Sequence, residues 1–322
     1  MTTAASHSQI VPQQTPSAPA LRAADQGVAS SLESVLADNT RRTYGTQWRI
    51  FTGWCDEVGL TSLPAEPLTV ARYLAARANS DASIATLRLA TSAISKAHEW
   101  AKLESPCRDP GVRASLKGWG RRLSKPQRQS GALTADVLAV IRLTAVQPRR
   151  RGRGFETAKQ AEERGQFDVA LVAVLSDAGL RRSEAAALTW GDVQGWEDGS
   201  GRITVIRSKT DVEAQGATVA ITPAAMKALS AIRPAGVAGG EKVFGVSESQ
   251  IARRVKAIAR AAGLENWEFF SGHSGRVGMA RRMAQNGAPT HEIERQGRWK
   301  QGGGMVGRYT RGETAGSALR YL

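Results

Sequence analysis

The chain has 322 residues, of which 41% are hydrophobic, and this size and composition suit two globular domains. Its formal net charge of +15 favours a polyanionic partner, with nucleic acid as the first candidate. Cys55 and Cys107 are too few for a disulfide framework and lack metal-ligand spacing, so we expect reduced thiols in a cytoplasmic protein. No apolar run approaches the roughly 18 residues of a membrane span, and the N-terminus lacks the features of a signal peptide.

The first part of the chain separates into a polar tail and a helical domain. Residues 1–33 are rich in Ala, Ser, Thr, Gln and Pro and have no periodic apolar face, so we expect disorder there. A helical DNA-binding domain is predicted over residues 34–123. Asn39 or Thr40 is placed to cap its first helix and Gly59 to end it, while the second helix begins near Pro67.

The third and fourth helices complete this domain. Ser80 or Asp81 is the expected cap of the third helix, and His98 lies on its apolar stripe, which favours a packed histidine over a ligand. The fourth helix follows Asp109 and Pro110, with the proline in the favoured first turn. Its inward face contains Val112, Leu116, Trp119 and Leu123.

The opposite face of the fourth helix is basic. Arg113, Lys117, Arg121 and Lys125 recur at four-residue intervals. A face of one charge sign is unfavourable unless an anion lies against it, so we interpret this face as a phosphate contact. A plain solvated face is the alternative. Further candidate DNA contacts of this domain are Arg41, Arg42 and Arg122.

Residues 124–131 contain Pro, Gly and polar residues without an apolar pattern, which is typical of an interdomain linker. The second domain is predicted over residues 132–322 and opens with a helix capped by Thr134. Residues 148–165 form a charged insertion, expected to be a mobile loop whose arginines touch DNA nonspecifically. The almost wholly apolar stretch 167–176 predicts a helix buried on all sides.

Two further elements of the second domain have clear patterns. Residues 203–207 and 217–221 alternate between apolar and polar positions and are joined by 211–216, so they predict a β-hairpin. Residues 247–262 predict an amphipathic helix with an apolar inner face. Its outer face offers Arg253, Arg254 and Lys256 as candidate DNA contacts.

The most informative chemistry lies in two short motifs. His273 and Arg276 are three residues apart, so both can project from one side of a helix turn. Arg181 begins another predicted helix, and Glu184 lies one turn later, where it can orient a basic side chain. Arginines stabilise the charge that develops when a phosphodiester is attacked, since the planar guanidinium binds phosphate oxygens. Each pair alone is common on helix surfaces, but together they predict a phosphodiester pocket, with Tyr309 as nucleophile.

The ordered set resembles the tyrosine recombinase (phage integrase) family, and within it the Cre type. The motifs that carry the resemblance are residues 179–184 (GLRRSE), Lys209 in the hairpin, residues 271–288 (SGHSGRVGMARRMAQNGA), residues 297–299 (GRW) and residues 308–311 (RYTR). They extend over the whole second domain. The helical first domain is similar to the core-binding domain of the family, though its pattern is less specific.

The resemblance implies a mechanism with a tyrosine nucleophile. Tyr309 is implied to form a 3′-phosphotyrosyl bond and to release a 5′-hydroxyl. Lys209 is implied to protonate the leaving 5′-oxygen, and His273 to assist proton transfer from the tyrosine. The phosphodiester energy is kept in the covalent intermediate, so no metal, ATP or other cofactor is expected.

The remaining implied roles concern the scissile phosphate. Arg181 and Arg276 are implied to hold it. Trp299 stands where the family has Trp or a second His, and its indole N–H can donate to a phosphate oxygen. Glu184 matches the acidic support position of the family. Arg182 beside Arg181 is interpreted as a backbone-phosphate contact or a surface charge.

The resemblance also implies a fold and an assembly. The expected fold is mainly α with a small antiparallel β-sheet, in which a core-binding domain and an α+β catalytic domain form a C-shaped clamp around DNA. The expected partners are double-stranded DNA with an inverted-repeat site and three further copies of the chain in a synaptic homotetramer, with a monomer in free solution and no membrane contact. The predicted terminal helix, residues 313–322, is interpreted as an assembly device.

Two other functions stay open on the sequence. A type IB topoisomerase-like enzyme shares this chemistry but relaxes DNA as a monomer, and the assembly-type tail argues against it. A DNA-binding protein that no longer cuts is the other alternative, and the intact set of chemical residues argues against it. One departure from the family pattern is the spacing from Trp299 to Tyr309, which is one residue longer than expected; the glycines at 302–304 are placed to absorb it.

Overall fold

The computed structural model describes residues 38–124, 129–206 and 216–310. The chain divides into two compact units, residues 1–126 and 127–322. Four α-helices form the described part of the first unit: α1 (Asp38–Val58), α2 (Pro67–Asn79), α3 (Ile84–Trp100) and α4 (Pro110–Arg122). The predicted disordered tail, residues 1–33, lies outside the described residues.

Helix starts in the first unit follow local capping chemistry and correct two predictions. Asn39 and Thr40, the predicted caps of the first helix, both lie within helix α1. Helix α3 is capped by Ser83, whose Oγ accepts a hydrogen bond from the Thr86 N–H at 3.1 Å. The predicted caps of α3 were therefore wrong by two or three residues. Proline is the first residue of both α2 and α4. A backbone N–H at this position has no partner within the helix, so proline, which lacks the N–H, loses no hydrogen bond there.

The core of the first unit is aromatic and aliphatic. Phe51 and Tyr73 are fully buried and meet edge to face, with ring centroids 5.0 Å apart. His98 is also fully buried; its Nε2 accepts from the Ala65 N–H at 2.9 Å and its Nδ1 lies 2.8 Å from the Ile94 carbonyl oxygen. The histidine on the stripe of α3 is thus a packed and satisfied residue, as the pattern indicated.

Helix α4 has the two faces that its sequence predicts. Val112 is buried, and Leu116, Trp119 and Leu123 pack against the same core. The basic residues Arg113, Lys117, Arg121 and Arg122 are exposed. Lys125 lies outside the described residues.

The second unit combines helices with two small antiparallel sheets. In chain order its described elements are α5 (Ala135–Thr144), β1 (Arg150–Arg151), β2 (Gly154–Phe155), α6 (Ala158–Ala178), α7 (Arg182–Ala187), β3 (Val193–Gly195), β4 (Gly201–Val205), β5 (Ala217–Ile221), α8 (Pro223–Ile232), α9 (Glu248–Ala261), α10 (Ser274–Gln285), α11 (Thr290–Gly297) and α12 (Met305–Tyr309). Strands β1 and β2 pair with each other, and β3, β4 and β5 form a three-stranded sheet in that order. The prediction of a mainly helical fold with a small antiparallel sheet is confirmed.

The charged insertion 148–165 is not the mobile loop that we expected. It contains the β1–β2 hairpin and the first two turns of α6. Thr157 and Gln160 form a capping box at the start of α6, with the side chain of each accepting from the backbone N–H of the other. Such a box is a strong helix-start signal, and here it extends the buried helix back into the charged segment.

Helices α6 and α10 carry the site and pack very closely. Most residues of α6 from Ala170 onwards are buried, as its apolar sequence predicts. A Cβ at Gly275 would lie 2.3 Å from the Leu175 carbonyl oxygen, and one at Gly278 would lie 2.3 Å from the Leu133 carbonyl oxygen. Only glycine allows the backbone of α10 to approach so near, and this proximity fixes the position of residue 276 between them.

The predicted hairpin is present as β4 and β5, which pair antiparallel with Ile203 opposite Val219. Strand β3 was not predicted. The connection 207–215, which contains Lys209, and the predicted terminal helix 313–322 both lie outside the described residues. None of the helices in the described ranges has the length and apolar character needed to cross a membrane.

Candidate active site

The end of helix α6 and the start of α7 place the first arginine. Gly179 terminates α6 in the left-handed region at φ 54°, which turns the chain sharply towards Leu180, a fully buried residue. Arg181 then occupies the N-cap position of α7. Glu184 lies one turn on, where its two carboxylate oxygens accept from the Arg181 backbone N–H at 2.7 Å and from Arg181 Nη1 at 2.6 Å. Glu184 therefore fixes both the backbone and the side chain of Arg181.

A second arginine completes the coordination of Glu184. Arg298 Nη2 donates to Glu184 Oε2 at 2.5 Å, and the two side chains are 6% and 2% exposed. Arg298 also donates to the carbonyl oxygens of Ala178 and Gly179, at 3.2 and 3.3 Å. Burial acts to raise the pKa of the Glu184 carboxyl, but Arg298 and the hydrogen bonds from Arg181 outweigh it and hold that pKa below its usual value. Glu184 is thus an anion that orders two cations.

Arg276 lies at the centre of the site and is only 2% exposed. Its Nη1 donates to the Gly179 carbonyl oxygen and its Nη2 to the Gly297 carbonyl oxygen, both at 2.6 Å. Its guanidinium carbon lies 5.0 Å from the ring centroid of Trp299. Burial, together with the charges of Arg181 and Arg298, lowers the pKa of Arg276 to about 10, so it remains a cation at neutral pH.

Tyr309 lies between Trp299 and His273. Its ring stacks on Trp299 with centroids 5.1 Å apart and an angle of 24° between the planes. Its hydroxyl oxygen is 2.7 Å from His273 Nε2. The tyrosine is only 7% exposed; Trp299 holds its ring and His273 holds its hydroxyl. A Cβ at Gly297 would lie 2.5 Å from the indole ring, so glycine is needed there for Trp299 to reach the tyrosine.

The backbone around Tyr309 is anchored to the rest of the unit. Gly302 and Gly304 have positive φ values of 66° and 70°, and α12 begins directly after the second of them. The Tyr309 carbonyl oxygen accepts from Arg281 Nε at 3.3 Å, and the Arg308 carbonyl oxygen accepts from Gln129 Nε2. The glycine-containing turn thus brings the tyrosine into contact with the pocket at the longer Trp299–Tyr309 spacing.

We expect His273 to titrate below pH 6.5 in the free protein. Desolvation of the ring and the charges of Arg276 and Arg308 lower its pKa. The residue as a whole is exposed, so the direction rests chiefly on the cations around it. Above the lowered pKa the imidazole is neutral, and in the tautomer protonated at Nδ1 its Nε2 accepts the Tyr309 hydroxyl hydrogen. A group with a depressed pKa stabilises the fold above its unfolded pKa, and this contribution is lost as the pH falls through the folded value.

An NMR titration of the His273 imidazole measures this directly. Arg182 is another cation that lowers the pKa, so Arg182→Gln should raise it towards 6.5. Arg142→Gln removes one positive charge elsewhere in the unit and should leave the titration unchanged. A His273 pKa at or above 6.5 in the wild type, or equal shifts in the two variants, would contradict the assignment.

The structure brings together six of the seven predicted catalytic residues, which form one continuous chain of contacts: Arg181, Glu184, His273, Arg276, Trp299 and Tyr309. Arg181 joins the chain through Glu184 and Arg298, which meets Arg276 at the Gly179 carbonyl. Lys209 lies outside the described residues. Arg298 was quoted as part of a motif but given no role. The sequence signal for Arg298 was its place directly after Gly297, the last residue of α11. In the structure Arg298 lies in the left-handed region, at φ 52°.

The predicted DNA contacts differ in how far the fold leaves them accessible. Arg41, Arg42, Arg253 and Lys256 are exposed. Arg254 is not a free surface charge, because its Nε is 2.6 Å from Asp168 Oδ1 and its guanidinium lies over Phe167, with the carbon 4.0 Å from the ring centroid. Its first role is therefore structural. Within the described ranges, no three His, Cys, Asp or Glu side chains are grouped so that they could hold a metal ion.

Comparison with known proteins decides the family. The sequence pattern of the phage integrase family matches residues 156–315, which include every described residue of the site. The chain belongs to the phage integrase family. It is also 28% identical over 299 residues to an integrase/recombinase XerD homolog from Selenomonas ruminantium, and the match covers 86% of this chain and 83% of that protein.

Solved structures of two integrases share the fold. The Tn1549 transposon integrase in complex with transposon right end DNA matches with a TM-score of 0.58 and 13% identity, over 92% of this chain and 97% of that one. A lambda integrase tetramer bound to a Holliday junction matches with a TM-score of 0.57 and 19% identity, over 90% and 76% of the two chains. This phage integrase family member is a site-specific tyrosine recombinase, an enzyme that cleaves and rejoins DNA.

Proposed function

We propose that this recombinase exchanges DNA strands through a 3′-phosphotyrosyl bond on Tyr309 and a Holliday junction. The contact between the Tyr309 hydroxyl and His273 Nε2, at 2.7 Å beside the Arg276 guanidinium, is the observation that supports this most directly. A phenol has a pKa of about 10, so a tyrosine needs an adjacent base or a cationic pocket to attack at neutral pH. This site offers both.

The cleavage step follows from the positions of the side chains. The Tyr309 oxygen attacks the phosphorus while its proton passes to neutral His273. A bond forms between the phosphorus and the Tyr309 phenolic oxygen as the P–O5′ bond breaks. The DNA is then held as a 3′-phosphotyrosyl ester, and the leaving 5′-oxygen takes a proton. We assign that proton to Lys209, which follows the end of β4 at Val205 by four residues. Rejoining is the reverse reaction with the 5′-hydroxyl of a second strand, so the step consumes neither ATP nor a metal.

Stabilisation of the transition state is the task of the arginines. Negative charge grows on the nonbridging oxygens during attack, and preorganised cations that need not reorient stabilise it best. Glu184 fixes Arg181, and two carbonyl oxygens fix Arg276. Trp299 covers the guanidinium of Arg276 and can donate its indole N–H to an oxygen. Because these contacts exist in the free protein, little reorganisation is needed on binding.

The domains and partners follow as part of the proposal. Residues 34–123 serve as the core-binding domain and residues 132–322 as the catalytic domain, joined by 124–131. The exposed basic residues of α4 and α9 contact the phosphates of an inverted-repeat site. We propose a monomer in solution and a homotetramer on paired sites, supported by the similar fold of the lambda integrase tetramer on its junction. The Cre-type organisation and action on DNA in the bacterial cytoplasm complete the proposal.

A nicked suicide duplex carrying the cognate site tests the chemistry. Cleavage near the nick releases a short 5′-hydroxyl strand, so the covalent adduct accumulates and can be digested to identify the linked peptide. We expect the peptide to contain Tyr309 and the DNA to be linked through its 3′ end. Linkage through a 5′ end, or no adduct at all, would refute the proposal. Supercoil relaxation without strand exchange between two sites would identify a topoisomerase instead.

A further inference from the structure

The hairpin β1–β2 is a small, regular projection from the catalytic unit. Arg150 pairs with Phe155 and Arg151 with Gly154. The two-residue turn between the strands is Gly152–Arg153, in which only Gly152 has a positive φ, at 59°. That pattern is typical of a type II′ turn, whose twist matches that of paired strands. The six residues therefore have a defined shape rather than that of a loose loop.

The base of the hairpin is held by a dense network of ion pairs. The Glu156 carboxylate accepts from the Arg149 backbone N–H at 2.9 Å and from Arg164 Nε at 2.9 Å. Arg164 also donates to the carbonyl oxygens of Ala145 and Gln147, both at 2.8 Å. The segments that enter and leave the hairpin are thus tied to the same side chain of α6.

A fully buried carboxylate extends this network to helix α9. Asp168 Oδ2 is 2.9 Å from Arg149 Nη1 and 3.3 Å from Arg164 Nη1, and its Oδ1 is 2.6 Å from Arg254 Nε. One carboxylate therefore joins the hairpin base, helix α6 and helix α9. Since α9 bears exposed Arg253 and Lys256, the network couples the hairpin firmly to a second basic surface.

The tip of the hairpin is positively charged. Arg150, Arg151 and Arg153 are exposed, and no acidic side chain in the described part of the chain pairs with them. The nearby carboxylates of Glu156 and Asp168 are engaged by the base arginines. Phe155 is 73% exposed and lies directly opposite Arg150, so both project from one face of the hairpin. An exposed phenylalanine among like charges is unfavourable for a merely solvated surface.

We propose that the tip, residues 150–155, is an additional DNA clamp of this recombinase. Its three arginines contact backbone phosphates, with Arg150 and Arg151 reaching them from opposite faces of the hairpin. Phe155 packs beside Arg150 on the apolar face of a deoxyribose or base edge. The proposal rests on the proposed function, because it takes the DNA of that reaction as its ligand. The contact is independent of sequence, since phosphates carry no base information, and it adds to affinity rather than to chemistry.

Salt dependence of DNA affinity tests the clamp. We expect Arg150→Gln/Arg151→Gln/Arg153→Gln to reduce the slope of log affinity against log salt by about 2 to 3, since each lost phosphate contact lowers it by roughly 0.9. The matched control is Arg142→Gln/Lys159→Gln/Lys227→Gln, which removes three positive charges from other exposed positions of the same unit. Its slope should stay close to that of the wild type.

Hydroxyl-radical footprinting of the same complexes locates the contact. The hairpin variant should lose protection at a short run of adjacent nucleotides, and Phe155→Ala should weaken protection at the same place. Equal slopes for wild type and hairpin variant with an unchanged footprint would overturn the proposal and leave an acidic protein as the partner of the tip. A slope loss of the same size in the control variant would also overturn it, because the effect would then be one of net charge.

Two measurements distinguish a lost DNA contact from unfolding and from a loss of catalysis. The thermal midpoint of the hairpin variant should equal that of the wild type, because the substituted residues are exposed and the base network is intact. At saturating DNA and low salt it should form the suicide-duplex adduct at the wild-type rate. Failure of the wild type to form an adduct would refute the proposed function alone. A normal adduct together with an unchanged salt slope in the hairpin variant would refute the clamp alone.

Discussion

Replacing Tyr309 by phenylalanine should abolish the covalent adduct while leaving DNA affinity unchanged. The substitution removes one oxygen, the atom that forms the bond to phosphorus, so we expect the single-turnover cleavage rate to fall by more than about 10⁴-fold. The phenyl ring keeps its stacking on Trp299, and the anchoring contacts of Arg281 and Gln129 go to backbone carbonyls that the variant retains. The pocket should therefore stay folded and bind DNA.

The measurement is adduct formation on the suicide duplex, with DNA affinity determined in parallel. Tyr44→Phe, in helix α1, is the matched control and should cleave at the wild-type rate. An adduct in Tyr309→Phe would show that another residue attacks, and Tyr321, which lies outside the described residues, would be the first candidate. A loss of affinity equal to the loss of cleavage would mean that the substitution disrupts the pocket rather than the chemistry.

Sequence patterns predict helices α6 and α10, which carry the site, because the spacing of neighbouring residues is enough to define them. Helix α6 is apolar over 167–176 except at Asp168 and Ser176 and is buried from Ala170 onwards. Helix α10 presents Arg276 three residues after His273. The ordered chemical residues then predict the pocket, although they come from four separate segments. The contact that joins two of these segments is not local in the sequence. The Gly179 carbonyl oxygen accepts hydrogen bonds from both Arg276 and Arg298, and no sequence pattern marks it for this role.

Arg298 shows why the remaining contacts of the site could not be predicted from the sequence. A non-glycine residue in the left-handed region is unfavourable by about 1 kcal/mol, so sequence rules assign such positions to glycine or asparagine. Here a buried ion pair with Glu184 and two backbone hydrogen bonds hold the residue in that conformation. The local penalty is offset by a contact 114 positions away in the chain, which periodicity cannot reveal.

The charged insertion was misjudged for a related reason. Its composition of arginine and glutamate is typical of a solvated loop, and the expectation treated those charges as independent. In the fold Glu156 pairs with Arg164 at the hairpin base, and Asp168, just beyond the insertion, pairs with Arg149, Arg164 and Arg254. A capping box at Thr157 and Gln160 was the one local indication of order, and it was visible in the sequence.

Arg276 provides the second large expected effect. Arg276→Lys should slow single-turnover cleavage by roughly 100- to 1000-fold, about 3 to 4 kcal/mol of transition-state stabilisation. Lysine keeps the charge, but a single ammonium cannot donate to the Gly179 and Gly297 carbonyl oxygens and still face a phosphate. The deficit should persist at saturating DNA, because the lost interaction is strongest when negative charge builds on the nonbridging oxygens.

The same substitution also lowers stability, since a carbonyl left without a donor in a buried site costs roughly 1 to 3 kcal/mol. Arg282→Lys separates the two effects. Arg282 lies on the same helix α10 and donates from Nη1 to Ser176 Oγ and Asp177 Oδ1, both at 2.9 Å, outside the phosphate pocket. It should lose stability but keep its cleavage rate below its melting temperature. Equal cleavage losses in the two variants would show that Arg276 acts through the packing of α10, and a wild-type rate in Arg276→Lys would show that charge alone suffices.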